Sequence, residues 1–267
     1  MSDRLPVLKT YKLFVGGAFP RSESGRVYEA EGANVALASR KDVRDAVQAA
    51  RGAAVGWAKA TAYNRGQVLY RLAELMEARA AELAAACSGP DEVARAVDRV
   101  VWYAGWTDKL AQVVGGANPV AGPYFDFTVP EPTGVVGIVA PAEPALLGLV
   151  SRLAPALAGG NVVVALASYA HPVAAVELAE CIATADVPAG VVNILTGDAA
   201  ETAPWLAAHM DVNAIDVTGA PPALAAELER AAADNVKRVV RGPADGQRLA
   251  DVEQLLELKT VWHPIGA

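Results

Sequence analysis

The chain has 267 residues, 53% of them hydrophobic, and a formal net charge of −7 at neutral pH. This length allows one large domain or two small ones with a full hydrophobic core, and a mildly acidic chain without a basic patch argues against nucleic-acid binding. Charged residues, prolines and a glycine pair interrupt the most apolar region, residues 135–170, so no membrane span of about 20 residues can be drawn. Because the first residues, MSDRLPVLKTYK, lack the apolar core of a signal peptide, we expect a cytoplasmic protein without membrane or nucleic-acid partners.

The chain opens with a pattern that predicts a hairpin. Residues 13–19 (LFVGGAF) have the composition of a strand with a turn at Gly16-Gly17. A short second strand is expected at residues 27–30. Together these segments predict an N-terminal hairpin.

Three helices are predicted after the hairpin. Ser39, with Asp42 three residues on, is typical of a capping box and starts a helix that should run to about Ala54. A longer helix is predicted from about Asn64, and Pro90 suits the first position of a third.

From residue 134 onward, short unbroken apolar runs alternate with helical patterns. Runs of about 4 to 8 β-branched residues between helices of about 10 to 15 indicate βαβ units around a buried parallel sheet. The five predicted strands are 135–140, 162–166, 191–195, 214–218 and 236–240, and the four helices between them should start near Pro144, Pro172, Glu201 and Pro221.

Two further strands lie outside this alternation. The first begins at Tyr124 and ends at Val129, and the second begins at Leu255 and ends at Trp262, after a turn-rich GPADGQ segment. The second of these strands lies far from the sheet and ends the chain, which suggests an arm rather than a core element.

Several of these segments resemble the aldehyde dehydrogenase superfamily. They are GVVGIVAP, LAPALAGGN, VPAGVVNILTGD, DVTG and LELKTVW, with LFVGGAF and YAGWTDKL earlier in the chain, and they follow the family's order over almost the whole sequence. The resemblance implies an α/β fold: a five-stranded parallel Rossmann-like sheet with flanking helices, plus a small β oligomerisation arm. It divides the chain into a hairpin and helices packing on the sheet domain (1–123), an arm strand (124–133), the sheet domain (134–241), and a linker with the C-terminal arm strand (242–267). The family's catalytic domain, which carries the reactive thiol, would be absent after Arg241.

The resemblance also implies functional positions, and this sequence departs from the family at each. The family oxidises aldehydes with a cysteine thiolate, NAD(P) and a glutamate that activates water. Where the family has an Asn that donates a hydrogen bond to the oxyanion, this chain has Ala142-Glu143. An ionised carboxylate has no hydrogen to donate. Its ribose-binding Lys and Glu are replaced by Leu166 and Tyr169. Its phosphate-binding Gly-Ser-Thr-x-x-Gly reads Gly219, Ala220, Pro221, Pro222, Ala223 and Leu224, and its Glu-Leu-Gly-Gly has become Arg241-Gly242-Pro243.

The cysteines and histidines offer no replacement for the lost groups. Cys87 is expected at a helix C-terminus, where the dipole disfavours a thiolate, and Cys181 on a helix that packs against the sheet. The histidines His171, His209 and His263 have no spacing typical of a metal site or of an activated nucleophile. The sequence therefore predicts no catalytic, cofactor-binding or metal-binding residue, and it predicts that NAD or NADP binding is lost.

These observations favour a non-catalytic subunit, a pseudoenzyme. Through the two arm strands it would associate with a full-length aldehyde dehydrogenase paralogue, with itself, or with both, as a scaffold or regulator. Two alternatives remain: a module that still binds a nucleotide or other ligand at the strand ends, and part of an oxidoreductase that a partner subunit completes.

Overall fold

A computed structural model describes Leu5 and residues 7–266. The helices are α1 (Arg40–Lys59), α2 (Ala62–Ala78), α3 (Ala80–Ala85), α4 (Pro90–Ala104), α5 (Leu110–Val113), α6 (Ala145–Ala158), α7 (Val173–Thr184), α8 (Ala199–Ala208), α9 (Pro222–Ala233) and α10 (Leu249–Glu253). The strands are β1 (Thr10–Tyr11), β2 (Val27–Ala30), β3 (Ala33–Ala36), β4 (Gly116–Asn118), β5 (Tyr124–Pro132), β6 (Val135–Val139), β7 (Val162–Leu166), β8 (Val192–Leu195), β9 (Ala214–Asp216), β10 (Arg238–Val240) and β11 (Leu256–Pro264). Among the described residues, no helix is long and apolar enough to cross a membrane.

The core is a five-stranded parallel sheet in the order β10-β9-β6-β7-β8. Every residue of β6 and β7 is buried, which explains why their sequences are unbroken apolar runs rather than alternating patterns. The predicted α/β class with five parallel strands is confirmed, and each observed strand lies within its predicted limits. Strand order reverses between β6 and β9, and in such sheets ligands bind at the carboxyl ends near this point.

Helices cover both faces of the sheet. Helices α1 and α8 pack on one face, with α9 against α8, and α6 and α7 pack on the other. Helices α2 and α4 form a further layer over α6, so that all 14 residues of α6 are buried. The capping box is confirmed, since the Ser39 N–H and hydroxyl both donate to Asp42, although α1 continues to Lys59 rather than ending near Ala54.

The predicted N-terminal hairpin is wrong in its pairing. The segment at 27–30 is a strand, but it pairs with β3 through a two-residue turn in which Glu31 and Gly32 both have positive φ (53° and 70°). Such turns match the right-handed twist of the strands they join. The earlier segment instead reaches the edge of the main sheet, where Phe14 exchanges backbone hydrogen bonds of 2.9 and 2.7 Å with Ile194 of β8.

The two predicted arm strands pair with each other over their full length. Strands β5 and β11 run antiparallel, with Leu256 opposite Pro132 and Pro264 opposite Tyr124. A third short strand, β4, pairs with β5, and the sequence pattern does not predict it. The turn-rich segment before β11 is also followed by a helix, α10, that the sequence pattern did not predict.

Candidate functional site

The loops after β6 and β9 meet at the point where the strand order reverses. Gly219 donates its N–H to the Val139 carbonyl at 3.0 Å. A Cβ at this glycine would lie 2.1 Å from the Ala140 oxygen, so only glycine fits. The two backbones are therefore in direct contact at the base of the crevice where a ligand would be expected.

The loops after β6 and β7 bring Glu143 and His171 together, beside Glu31 of the turn between β2 and β3. His171 Nδ1 lies 3.4 Å from Glu31 Oε1, and His171 Nε2 lies 3.4 Å from Glu143 Oε1. Cys87 lines the same cavity of about 200 Å³. The signal that could have found this cluster is topological: Glu143 and His171 follow neighbouring parallel strands, whose carboxyl ends share one edge.

Neither cysteine has the electrostatic surroundings of a nucleophile. Burial raises the pKa of the Cys87 thiol to about 11, and burial raises that of Cys181 to about 11 as well. Both thiols are protonated at neutral pH, and a thiolate is the nucleophilic form. Within the described residues, no group of three or more His, Cys, Asp or Glu side chains could hold a metal ion.

After β7, an aromatic stack occupies the strand end. The ring of Tyr169 lies parallel to that of Tyr28 on β2, with 4.6 Å between centroids and 6° between planes. The Tyr28 hydroxyl also donates to the Tyr169 carbonyl at 3.3 Å. Leu166 and Ala167, just before this loop, are buried in the core.

Helix α9 begins without the donors that a bound anion needs. Pro221 is the N-cap and Pro222 the first helical residue, and both are exposed. Proline has no N–H, although its φ suits a helix start. Leu224 packs against the core.

The N-terminus of α6, which follows β6, is filled by the protein itself. The buried Glu92 carboxylate accepts hydrogen bonds from the N–H groups of Leu146 at 2.8 Å and Leu147 at 2.9 Å, and from that of Ser88 at 2.8 Å. Burial would raise the pKa of Glu92, but these backbone donors outweigh it and hold that pKa below its ordinary value. An internal carboxylate thus takes the place at this helix end that an external anion would occupy.

The segment after β10 folds back onto the helices beside the crevice. The Gly242 N–H donates to Thr218 Oγ1 at 3.0 Å. The Arg99 guanidinium of α4 bonds the Asp245 carbonyl at 2.9 Å, the Gly246 carbonyl and the Gln247 side chain at 2.9 Å. The turn-rich linker predicted at this point is therefore anchored along its length.

A buried ion network joins this segment to the sheet. Arg152 of α6, with no exposed surface, donates to Asp216 at the end of β9 at 2.6 Å and to Asp251 of α10 at 3.1 Å. Arg248 completes the network with a 2.7 Å bond to Asp251. The network gives the residues after β10 a fixed position against the core.

Comparison with known proteins identifies the origin of this architecture. The sequence model of the aldehyde dehydrogenase family matches residues 26–241. The chain belongs to the aldehyde dehydrogenase family. The resemblance inferred from the sequence motifs is thereby confirmed.

Individual relatives show how much of a family member is present. Omega-crystallin of Enteroctopus dofleini is 29% identical over 255 residues, which cover 88% of this chain and 51% of that protein. Cytosolic 10-formyltetrahydrofolate dehydrogenase of Mus musculus is 35% identical over 259 residues, covering 88% of this chain and 28% of the relative. The crystal structure of HpcC from Thermus thermophilus superimposes with a TM-score of 0.83 at 31% identity, covering 88% of this chain and 48% of that one. The chain spans about half the length of omega-crystallin and of HpcC.

Proposed function

We propose that this member of the aldehyde dehydrogenase family is a non-catalytic, cytoplasmic subunit that associates with an active aldehyde dehydrogenase paralogue as a scaffold or regulator. The observation that carries the proposal is the start of α9. At the position where the family presents helix N–H groups to the cofactor's pyrophosphate, this chain has Pro221 and Pro222. Two donors are missing where the anion would dock, while the helix itself is preserved.

The other strand ends support the same proposal. Glu143, whose side chain is 79% exposed, places a carboxylate where an oxyanion would need a donor. Tyr169 stacks on Tyr28 where the family has a ribose-binding carboxylate. Arg241 pairs with Glu229 where the family's general base would follow β10. These residues fit NAD or NADP poorly, and no chemical step is assigned to either.

The arm supports an association. A three-stranded sheet of this size needs cover for its apolar side chains, and several of them are exposed. They are Tyr124, Phe125, Val129, Leu258 and Trp262. We propose that the paralogue, a second copy of this chain, or both contact the arm along residues 124–129 and 255–262.

Capture from the native organism tests the association. The tagged chain should recover an active aldehyde dehydrogenase that mass spectrometry identifies. A tag on the same chain with Phe125→Ser and Val129→Ser is the matched control, because both side chains are exposed and their loss should weaken capture without unfolding the core. Recovery of a monomer with no partner would count against the proposal.

Calorimetry tests the loss of cofactor binding. The isolated chain should give no heat with NAD or NADP at millimolar concentration, whereas a full-length active relative serves as the positive control. Binding of either dinucleotide to the isolated chain would overturn this part of the proposal.

The cavity beside Glu143 and His171 favours one alternative, a module that binds a small ligand at the strand ends. Heat on titration with coenzyme A would support it. The second alternative, an oxidoreductase completed by the paralogue, predicts aldehyde-dependent NADH formation that appears only in the reconstituted pair and falls when Glu143 is replaced by Gln.

A further inference from the structure

The small sheet near the N-terminus carries a cavity that is not part of the crevice at the strand ends. This sheet has the order β1-β3-β2, and a cavity of about 170 Å³ lies on one of its faces. Thr10 of β1 lies opposite Asn34 of β3, and both line the cavity. Val27 of β2 and Ala36 of β3 form the next opposed pair and line it as well. Because successive side chains of a strand point to opposite faces, Tyr28 and its aromatic stack lie on the other face of the sheet.

A loop that is anchored to α1 forms one wall of the cavity. Arg21, Ser22 and Gly25 of this loop line the cavity. The Ser22 hydroxyl donates to the buried Asp42 carboxylate at 2.8 Å, and the Gly25 N–H donates to the Ser22 carbonyl at 2.9 Å. Asp42 also accepts the Glu23 N–H at 2.9 Å, so the loop is fixed to the first turn of α1. A ligand would meet a wall that is already ordered, which lowers the entropic cost of binding.

The charged side chains that line the cavity are all cationic. They are Lys12, Arg21 and Arg26. Among the described residues, Lys12 and Arg21 form no ion pair. Arg26 lies 3.7 Å from Glu201, in a pair whose two side chains are both more than half exposed, and such surface pairs contribute little. Lys12 and Arg21 therefore give the cavity a positive potential in a protein whose net charge is −7.

Hydrogen-bond donors of the lining are also available to a ligand. Across Leu5 and residues 7–266, no side-chain hydrogen bond to another protein group is made by Thr10, Lys12, Arg21 or Asn34, all of which line the cavity. Glu29, opposite Asn34 on β2, faces the same side of the sheet but does not line the cavity. The lining thus combines unpaired positive charge with free donors, as the binding of an anion requires.

The volume of the cavity restricts the anion to a small one. About 170 Å³ corresponds to roughly five or six water molecules at about 30 Å³ each. A dinucleotide does not fit, whereas a phosphate group has a suitable size. A phosphate monoester carries a charge of about −1.5 to −2 at pH 7, which matches the two unpaired cations. Arginine can bind phosphate oxygens through two parallel N–H groups, and lysine supplies a compact charge.

We propose that this cavity binds a phosphate group, either as the free ion or as part of a small phosphate monoester. Arg21 donates to two of the phosphate oxygens, and Lys12 neutralises the remaining charge. The Asn34 amide and the Thr10 hydroxyl donate to the other oxygens. The bound phosphate joins β1, β3 and the loop that α1 anchors, so it stabilises the folded chain in proportion to its occupancy.

This inference does not rest on the proposed association or on the loss of cofactor binding. NAD contains no phosphate monoester, so calorimetry with NAD reports on the crevice alone. NADP and coenzyme A each contain one, and the Arg21→Gln variant separates the two sites. Heat that this variant loses belongs to the cavity, and heat that it keeps belongs to the crevice.

Calorimetry on the full chain, in a phosphate-free buffer of low ionic strength, tests the ligand class. Inorganic phosphate and glycerol 3-phosphate should both give heat at millimolar concentration, and both should bind more tightly than acetate, which carries a single charge. The tighter of the two phosphate ligands identifies the source of the group. Absence of heat with both, or an equal affinity for acetate, would overturn the proposal.

Lys12→Gln and Arg21→Gln test the two cations. Each variant should lower the affinity for the tighter phosphate ligand roughly tenfold or more, because each removes a charge-assisted hydrogen bond. Lys41→Gln is the matched control. It also removes one positive charge, but Lys41 pairs with Glu23 and does not line the cavity, so the affinity should change by less than about threefold. Wild-type affinity in both cavity variants would place the phosphate elsewhere and overturn the proposal.

Glu29→Gln should change the affinity in the opposite direction. Removal of this nearby negative charge should strengthen phosphate binding, a gain that a merely structural role of the lining would not produce. Thermal denaturation gives a second readout: phosphate should raise the midpoint of the wild type and of Glu29→Gln, but not that of Arg21→Gln. Weaker binding by Glu29→Gln, or an equal rise of the midpoint in Arg21→Gln and the wild type, would contradict the proposed site.

Discussion

Arg152 is the residue on which the buried electrostatics of this protein depend. It is fully buried with Asp216 and Asp251, and no water-exposed surface screens the three charges. A buried ion pair adds little over an apolar replacement of the whole group, but removal of one member leaves the others uncompensated. Removing one charged residue of the network should therefore lower the free energy of unfolding by more than the intact network adds to it.

Replacing Arg152 by Met tests this asymmetry. We expect a loss of roughly 3–5 kcal/mol in the free energy of unfolding, because the buried Asp216 carboxylate loses its cation and the buried Asp251 carboxylate keeps only Arg248. Urea denaturation measures the change. Arg241→Met, which removes an exposed pair with Glu229, is the control and should cost less than about 1 kcal/mol. Equal losses from the two variants would show that the network contributes no more than a surface pair.

The same network predicts how stability depends on pH. Burial would raise the pKa of Asp251, but the hydrogen bond from Arg248 and the charge of Arg152 outweigh it and lower that pKa below its ordinary value. A carboxyl whose pKa is lowered on folding contributes stability above its unfolded pKa of about 3.9, and the contribution is lost as the pH falls through the folded pKa. Urea midpoints measured between about pH 7 and pH 3 should therefore fall below about pH 4 in the wild type.

Asp251→Asn provides the comparison for this pH series. The variant should be less stable at neutral pH, and its stability should fall less between about pH 4 and pH 3, since the titrating group is gone. A parallel decline in both proteins would assign the acid sensitivity to other carboxyl groups.

The sequence could not reveal these residue-scale contacts. Arg152 interrupts an apolar region, which indicates only that no membrane span lies there. Its partner Asp251 is 99 residues away in the chain, in a segment whose composition predicts turns. The Cys87, Glu143 and His171 cluster was missed for a related reason: spacing along the sequence says nothing about Cys87, which reaches the cavity from a different layer of the fold.

At the scale of elements, α6 depends on a cap that lies on another helix. Its N-cap is Pro144, which provides no side-chain acceptor, and Glu92 of α4 accepts the N–H groups instead. The position of α6 over the sheet is thus coupled to α4. The sequence predicts the start of α6 near Pro144, but it does not reveal the capping group, which is 54 residues away.

Removing the Glu92 carboxylate that caps α6 should lower the free energy of unfolding. For Glu92→Ala we expect a loss of roughly 1–3 kcal/mol, because three N–H groups lose their acceptor, two of them buried. The matched control is Asp91→Ala, the exposed neighbour in the same first turn, which should change stability by a few tenths of a kcal/mol. Thermal denaturation of both variants measures the difference. A Glu92→Ala protein as stable as the control would show that water replaces the carboxylate.

Element prediction succeeded where a single local signal determined the structure. The five sheet strands were located correctly because a buried parallel strand requires an unbroken apolar run. The hairpin was assigned to the wrong strands because Gly16-Gly17 is a stronger turn signal than Glu31-Gly32. Both turns form, but the first reverses the chain only locally, between Val15 and Ala18.

At the scale of the whole molecule, the segment after β10 is part of the core. It supplies Asp251 to the buried network and accepts the hydrogen bonds of Arg99, which is 5% exposed. Its removal would take acceptors away from two buried arginines, leaving Arg152 with Asp216 and Arg99 with Ser151. The segment therefore does more than connect the sheet to the arm.

Two truncations separate these roles. A chain that ends after Arg241 should fail to give a cooperative thermal transition, because Arg99 and Arg152 lose partners inside the core. A chain that ends after Leu255 keeps α10 and should retain a cooperative transition while losing β11. Circular dichroism on heating distinguishes them. A cooperative transition in the shorter chain would show that the sheet domain is stable without the segment.

The pairing of β5 with β11 also constrains the order of events during synthesis. Glu131 and Lys259, whose side chains form a 3.1 Å ion pair diagonally across the two strands, are 128 residues apart in the chain. At a translation rate of roughly 5–20 residues per second, about 6–25 s pass between the synthesis of β5 and that of β11. During that interval β5 can pair only with the short β4, and the side of β5 that later pairs with β11 stays accessible, with Phe125 and Phe127 beside it. The nascent chain therefore presents a transient binding site for chaperones that recognise extended apolar segments.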